Sequence, residues 1–225
     1  MAKITKKFKS TAGLDRDKIY PMNEAIEALR PFASKKFNET LDIAVWLNVD
    51  VTKADQNIRG MLSLPHGTGK TVKIAVFTKD KAAEAKKAGA DIIGDEDLID
   101  KVLNGFMDFD RVLATPEMMP LMAKVAKILG PKGMMPNPKL GTVAADIGAA
   151  VEKARAGQIE YRAEKSGIIH AGVGKMSFTT DQLVENANAL IDTLKKIKPS
   201  TVKGQYIKGM WISTTQGAGL KVEFK

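Results

Sequence analysis

The stretch Leu129-Gly130-Pro131-Lys132-Gly133-Met134-Met135-Pro136-Asn137-Pro138-Lys139-Leu140-Gly141-Thr142 constrains this chain more than any other. Pro131, Pro136 and Pro138 fix φ and delete three amide donors, while Gly130, Gly133 and Gly141 supply positive-φ freedom between them. Neither a helix interior nor a central strand survives that punctuation. The segment therefore predicts a rigid, shaped loop that holds Lys132, Met134, Met135 and Lys139 in set directions.

Regular structure is legible on both sides of it. Met22, Ala25, Ile26 and Leu29 fall at helical spacing between Pro21 and Pro31. Leu41, Ile43, Val45, Leu47 and Val49 then alternate with Thr40, Asp42, Ala44, Trp46 and Asn48, the period of a half-buried strand. A second strand is expected over residues 58–64, ended by Pro65-His66-Gly67. From residue 72 the style changes to a strand over 72–77, a helix over 80–88, a short strand at 91–93, a helix over 96–104 and a strand over 111–114. Thr115 is the expected cap of the next helix, with Pro116 at its first position. Such alternation argues a parallel sheet covered by helices. A helix over 146–156 closes this section at Gly157.

After Gly157, strands at 159–163 and 168–173 are expected to flank the turn Glu164-Lys165-Ser166-Gly167. Thr180 is the expected cap of a helix with Leu183, Ala187, Leu190, Ile191 and Leu194 on one face, stopped by Pro199. Strands follow at 206–215 and 220–224. Neither end segment holds a comfortable core alone. The expected organisation is α/β in two domains. Residues 1–66 plus 159–225 form a discontinuous α+β domain, and residues 67–158 form an inserted α/β domain.

Composition narrows the partners. The formal net charge is +9 and the pI near 9.5, which favours a polyanion. Residues 1–66 set 11 Lys/Arg against 8 Asp/Glu, residues 67–158 set 14 against 12, and residues 159–225 set 10 against 6. The two ends thus hold most of the excess. In the middle, Asp91, Asp95, Glu96, Asp97, Asp100, Asp108 and Asp110 have only Lys101 as a counter-charge nearby in sequence, so this stretch should repel phosphates. The absence of cysteine excludes disulfides and thiolate metal sites and fits the cytosol. No apolar run reaches membrane-spanning length, and no apolar stretch follows the N-terminal lysines as a secretory signal would require.

Enzyme chemistry finds little support. Gly67-Thr68-Gly69-Lys70-Thr71 looks like the end of a phosphate-binding loop, but Leu64 stands where that motif needs glycine and a strand follows instead of a helix. The alternative reading, a nucleotide-dependent enzyme using the middle domain, also lacks a Gly-rich turn after the first middle strand. His66 and His170 have no second His or Cys at ligand spacing, so no metal site or cofactor is expected.

RNA binding is better served. Lys3, Lys6, Lys7, Lys9, Arg16 and Lys18 load one arm suited to non-specific phosphate contact. Lys35-Lys36-Phe37 offers charge beside an aromatic face at a loop-to-strand junction. Ser213-Thr214-Thr215-Gln216-Gly217 ends a strand with hydroxyls and a glycine, which can approach 2′-hydroxyls and phosphates closely.

The loop at 129–142 resembles the signature of the universal L-one family of large-subunit ribosomal proteins. Further landmarks resembling that family stand in its order. These are Lys36-Phe37-Asn38-Glu39-Thr40, Asp55-Gln56-Asn57-Ile58-Arg59-Gly60, Ser63-Leu64-Pro65-His66-Gly67, Gly89-Ala90-Asp91, Met107-Asp108-Phe109-Asp110, Ala114-Thr115-Pro116 and Ser213-Thr214-Thr215. The resemblance spans roughly residues 16–219. It implies a split layout with a Rossmann-like three-layer inserted domain, and hinge crossings at Pro65, His66, Gly67 and Gly157. It further implies large-subunit rRNA binding at the mobile stalk, contact with exit-site tRNA and help in its release, and repression of the protein's own operon through its mRNA. The expected protein is a cytoplasmic ribosome component, monomeric off the ribosome, with no membrane or small-molecule partner. The resemblance assigns rRNA contact to Lys36, Phe37, Glu39, Thr40, Thr214, Thr215, Gln216 and Gly217, and His170 and Ser213 are placed with them. Gln216 departs from the family's usual Met. The signature loop, with Gly130, Pro131, Gly133, Met135, Pro136, Pro138 and Gly141, is expected to define shape near the hinge.

Overall fold

A computed structural model describes residues 13–34 and 36–224. Lys3, Lys6, Lys7 and Lys9 lie outside the described residues. The chain opens with β1 (Ile19–Tyr20), α1 (Met22–Leu29), β2 (Thr40–Leu47) and β3 (Arg59–Ser63). It continues through β4 (Ile74–Phe77), α2 (Ala82–Lys87), β5 (Ile92–Gly94), α3 (Glu96–Leu103), β6 (Arg111–Ala114), α4 (Met119–Met122), α5 (Ala126–Leu129) and α6 (Ile147–Arg155). It ends with β7 (Gln158–Arg162), β8 (Ile168–Lys175), α7 (Thr180–Lys196), β9 (Ile207–Thr214) and β10 (Gly219–Val222). This mixed α/β chain divides into two compact units, Met1–Gly69 with Ile159–Lys225, and Lys70–Gln158.

In the unit built from both ends, five strands pair in the order β1-β10-β9-β2-β8. The short β1, which the sequence pattern did not reveal, joins β10 in parallel; the other pairings are antiparallel. Leu41, Ile43, Val45 and Leu47 alternate into a core shared with Ile26 and Leu29 of α1 and Leu183, Leu190 and Leu194 of α7. Helix α7 starts one residue earlier than expected from Thr180. Thr179 is its N-cap, and a capping box with Gln182 satisfies two amide donors reciprocally. Strands form on both sides of Glu164–Gly167, as expected. The turn closes, with the Gly167 N–H donating to the Glu164 carbonyl at 2.8 Å. Yet β7 pairs with β3 in a separate two-stranded sheet, while β8 joins the five-stranded one. An isolated bridge, Ala163 to Ile169, links the two across the turn.

In the unit of residues 70–158, three parallel strands run in the order β5-β4-β6. All four residues of β4 are buried, because both faces are covered. Ala75 and Phe77 pack with Leu98, Ile99, Met118 and Met122; Ile74 and Val76 pack with Ala85, Ile147 and Val151. Thr115 occupies an N-cap position but makes no side-chain capping bond. Pro116 and Pro120 follow, and the run to Leu129 breaks into alternating 3-10 and α segments in place of one helix.

The acidic stretch finds its counter-charges in space. Asp108 pairs with Lys73 at 2.7 Å, Asp110 with Lys70 at 2.7 Å, Asp91 with Arg155 at 3.4 Å and Glu96 with Lys79 at 3.9 Å. Asp91 and Asp110 also accept the backbone N–H groups of Ile74 and Lys73 at 2.9 and 3.2 Å. Much of the repulsion expected from local sequence is therefore cancelled.

Candidate nucleic-acid interface

The turn after β9 and the loop before β2 meet in the end-built unit. The pairing of β2 with β9 sets Leu41 opposite Thr214 and Asp42 opposite Ser213. One step beyond, the Thr40 N–H donates to Thr215 Oγ1 at 2.9 Å, and the Thr215 N–H donates to the Thr40 carbonyl at 3.1 Å. On the other side Lys175, the register partner of Thr40 on β8, donates from Nζ to Thr40 Oγ1 at 2.9 Å and to the Asn38 carbonyl at 3.2 Å. Asn38 donates from Nδ2 to Ser177 Oγ at 2.8 Å. Three chain segments far apart in sequence thus become one patch, with Lys36, Phe37, Thr215 and Gln216 exposed on it.

The strand period sorts the expected contacts. Side chains of one strand alternate between faces, so Ser213 and Thr215 point with Thr40 and Asp42 while Thr214 and Glu39 point inward. Thr214 is 3% and Glu39 1% exposed. Glu39 Oε1 accepts the Ser34 N–H at 2.9 Å, fixing the loop that presents Lys36 and Phe37. These two of the expected contact residues therefore shape the surface from beneath instead of facing an RNA. Thr214 Oγ1 is buried without a hydrogen-bond partner among the described residues. A Cβ at Gly217 would land on that oxygen, so any larger residue there requires the Thr214 side chain or the turn to shift. The Gly217 N–H donates to the Thr214 carbonyl at 3.0 Å and closes the turn. Phe37 is 42% exposed, an unusual cost for a phenyl ring that only filled a core.

Sequence reasoning missed Asn38, Asp42, Lys175 and Ser177, which the pairing brings to this patch. Asp42 was already visible as an outward position of the alternating strand. Burial raises its pKa above the ordinary carboxylate value, with Lys175 and His170 opposing the shift. His170 is exposed on β8, opposite Ala44 and 3.9 Å from Glu164.

The expected hinge residues have definite settings. Asn186, fully buried in α7, accepts the His66 N–H at 3.1 Å and donates to the carbonyls of Gly67 at 3.0 Å and Val173 at 2.8 Å. The His66 imidazole also lies against Glu185. Pro65–Gly67 is thereby clipped to the end-built unit. Gly67, Gly69 and Gly157 all adopt positive φ.

The signature loop belongs to the other unit. The Asn137 N–H donates to Thr142 Oγ1 at 2.7 Å, and Thr142 Oγ1 donates to the Asn137 carbonyl at 3.1 Å. Gly133 and Gly141 take positive φ, and Pro136 and Leu140 are buried. Met134 and Met135 pack on the core beneath. The loop's end bridges Ala114 through Val143, at the C-terminal end of β6. The crossing residue Gln158 instead accepts from Arg111, at the N-terminal end of that strand. The loop's end and the crossing residue Gln158 are thus tied to opposite ends of β6.

Comparison with known proteins identifies the family. The sequence pattern of the Ribosomal protein L1p/L10e family matches residues 29–218. The chain is 53% identical over 225 residues to a protein of Actinobacillus succinogenes named Large ribosomal subunit protein uL1, covering 99% of this chain and 98% of that one.

Proposed function

Because the chain belongs to the Ribosomal protein L1p/L10e family, we propose that it is a structural component of the large ribosomal subunit that grips rRNA through the Thr40–Thr215 patch. It is a ribosomal protein and not an enzyme. The observation that carries the RNA reading is the junction of residues 36–40, 175–177 and 213–217. It combines an exposed phenyl ring, lysines and hydroxyls on a framework fixed by backbone hydrogen bonds. Stacking, phosphate attraction and short-range hydroxyl contacts are what recognition of folded RNA requires.

The finer reading follows the same surface. The end-built domain anchors the protein, and the inserted Rossmann-like domain extends toward exit-site tRNA and assists its release. With Pro65–Gly67 clipped to Asn186, the pivots lie just after Gly69 and at Gly157. An mRNA folded like the rRNA site would occupy the same patch, giving repression of the protein's own operon. Lys3, Lys6, Lys7 and Lys9 supply non-specific phosphate contacts.

The test compares Phe37→Ala with the wild-type chain on a fragment of large-subunit rRNA and on random RNA. Phe37 is exposed, so its loss leaves the melting temperature nearly unchanged. Affinity for the rRNA fragment falls by roughly 1–3 kcal/mol, the scale of one stacked base. An equal loss on random RNA, or no loss on either, overturns the assignment. A reporter carrying the operon's own leader tests repression, which the same variant relieves.

A further inference from the structure

The chain has two tryptophans, and both lie on the face of the five-stranded sheet turned away from α1 and α7, which is open among the described residues. Trp46 is on β2 and Trp211 on β9, neighbouring strands of the sheet. Trp46 sits opposite Gly209, and a Cβ on Gly209 would collide with the Trp211 ring. The Trp211 ring therefore lies across Gly209, toward the row that holds Trp46. Trp46 is 39% exposed. Lys208, the extra residue at the bulge between Trp46 and Leu47, sets its ammonium 5.0 Å from the Trp46 ring centre. Lys221 stands opposite Trp211 on β10, and His170 is exposed one strand beyond Ala44.

We propose that this open sheet face is a stacking platform for unpaired nucleotides of the RNA held at the Thr40–Thr215 patch, an extension that rests on the RNA-binding reading above. Large flat rings on adjacent strands of an uncovered sheet accept base faces, and cations among them meet the connecting phosphates. The charges favour such a ligand: Lys175, Lys208 and Lys221 face it, against Asp42 and Glu223. The surface is continuous with the patch. From Thr40 to Trp46 is one strand, and Ser213 is two residues from Trp211 on the next.

Because both tryptophans are on this face, intrinsic fluorescence reports its occupancy directly. Titrating the full chain with a single-stranded decaadenylate RNA should quench the emission, and a fully paired RNA duplex of equal length should quench it far less. Trp46→Leu, which keeps apolar bulk but has no π face, should weaken decaadenylate binding by about tenfold, whereas Trp46→Phe should retain most of it. Quenching from Trp211 in both variants reads the fold and the residual binding. If decaadenylate leaves the fluorescence unchanged, or Trp46→Leu binds as the wild type does, the platform is refuted. Should Phe37→Ala still weaken the rRNA fragment in that case, the RNA-binding patch stands alone; should it not, both readings fail.

Discussion

Thr215 satisfies the backbone of Thr40 from both sides, its Oγ1 accepting the Thr40 N–H at 2.9 Å and its own N–H reaching the Thr40 carbonyl at 3.1 Å. The hydroxyl most prominent in the motif is thus used to hold two loops together. In the proposed interface, Thr215 would act largely through the position of its neighbours.

Thr215→Val tests that role. Loss of one partly exposed hydrogen bond costs about 1 kcal/mol of stability, and rRNA affinity should fall as the patch loosens. Thr215→Ser keeps the hydroxyl and should restore both. Thermal melts and filter-binding titrations on the three proteins check this, and equal behaviour of the Val and Ser variants would contradict it.

Gln216 and Gly217 should respond oppositely to substitution. Gln216 is exposed, so Gln216→Met exchanges an amide for polarizable apolar surface, opposing effects of roughly 1 kcal/mol each. The affinity change stays within about tenfold. Gly217→Ala places a methyl on Thr214 Oγ1 and must displace that side chain or the turn. It should lower both the melting temperature and rRNA affinity, and adding Thr214→Ala, which removes the clashing oxygen, should recover part of both.

Asp42 gives a pH dependence whose sign is fixed. Its carboxyl is raised above the ordinary value of 3.8, chiefly by burial and against Lys175 and His170. The ionised form is therefore less favoured in the folded chain than in the unfolded one. The stability present below 3.8 is lost as pH rises through the raised folded value. Asp42→Asn should remove this slope from melts taken upward from pH 3.5. It should also raise affinity for all RNAs at neutral pH, because one anion leaves the surface.

Asn186→Leu should be severe. The buried amide makes three hydrogen bonds, and an apolar side chain of similar size leaves the His66 N–H and the carbonyls of Gly67 and Val173 without them. A loss of about 2–5 kcal/mol is expected from unsatisfied buried groups. Denaturant unfolding of the full chain measures it. A neutral result would mean that residues 65–67 are not fixed through Asn186.

Much of this was legible in the residues alone. The alternation through Thr40–Leu47 fixes which side chains share a face, because the strand period is two whatever the strand pairs with. The helices at Met22–Leu29 and Ile147–Arg155 declared themselves through spacing, proline and glycine. The loop at 129–142 carries no more than a single 3-10 turn, Pro138–Leu140, since its prolines and glycines forbid a longer helix or a strand. The same alternation, applied strictly, turns Glu39 and Thr214 inward.

Tertiary structure alone decided the neighbours. Residues 40 and 215 meet only because β2 accepted β9 in one register, and a slip of one residue would have turned every outward side chain of that strand to the core. Nothing near Glu164–Gly167 announces that β7 and β8 part into different sheets, since each pairs with a strand more than 90 residues away in sequence. Lys73, Lys70 and Arg155 pair with the acidic stretch across shorter gaps of 35, 40 and 64 residues. Local pattern specifies conformation and face, because both arise within a few bonds of the backbone. Pairing and counter-charge depend on which distant segment packs alongside, and that choice belongs to the whole core.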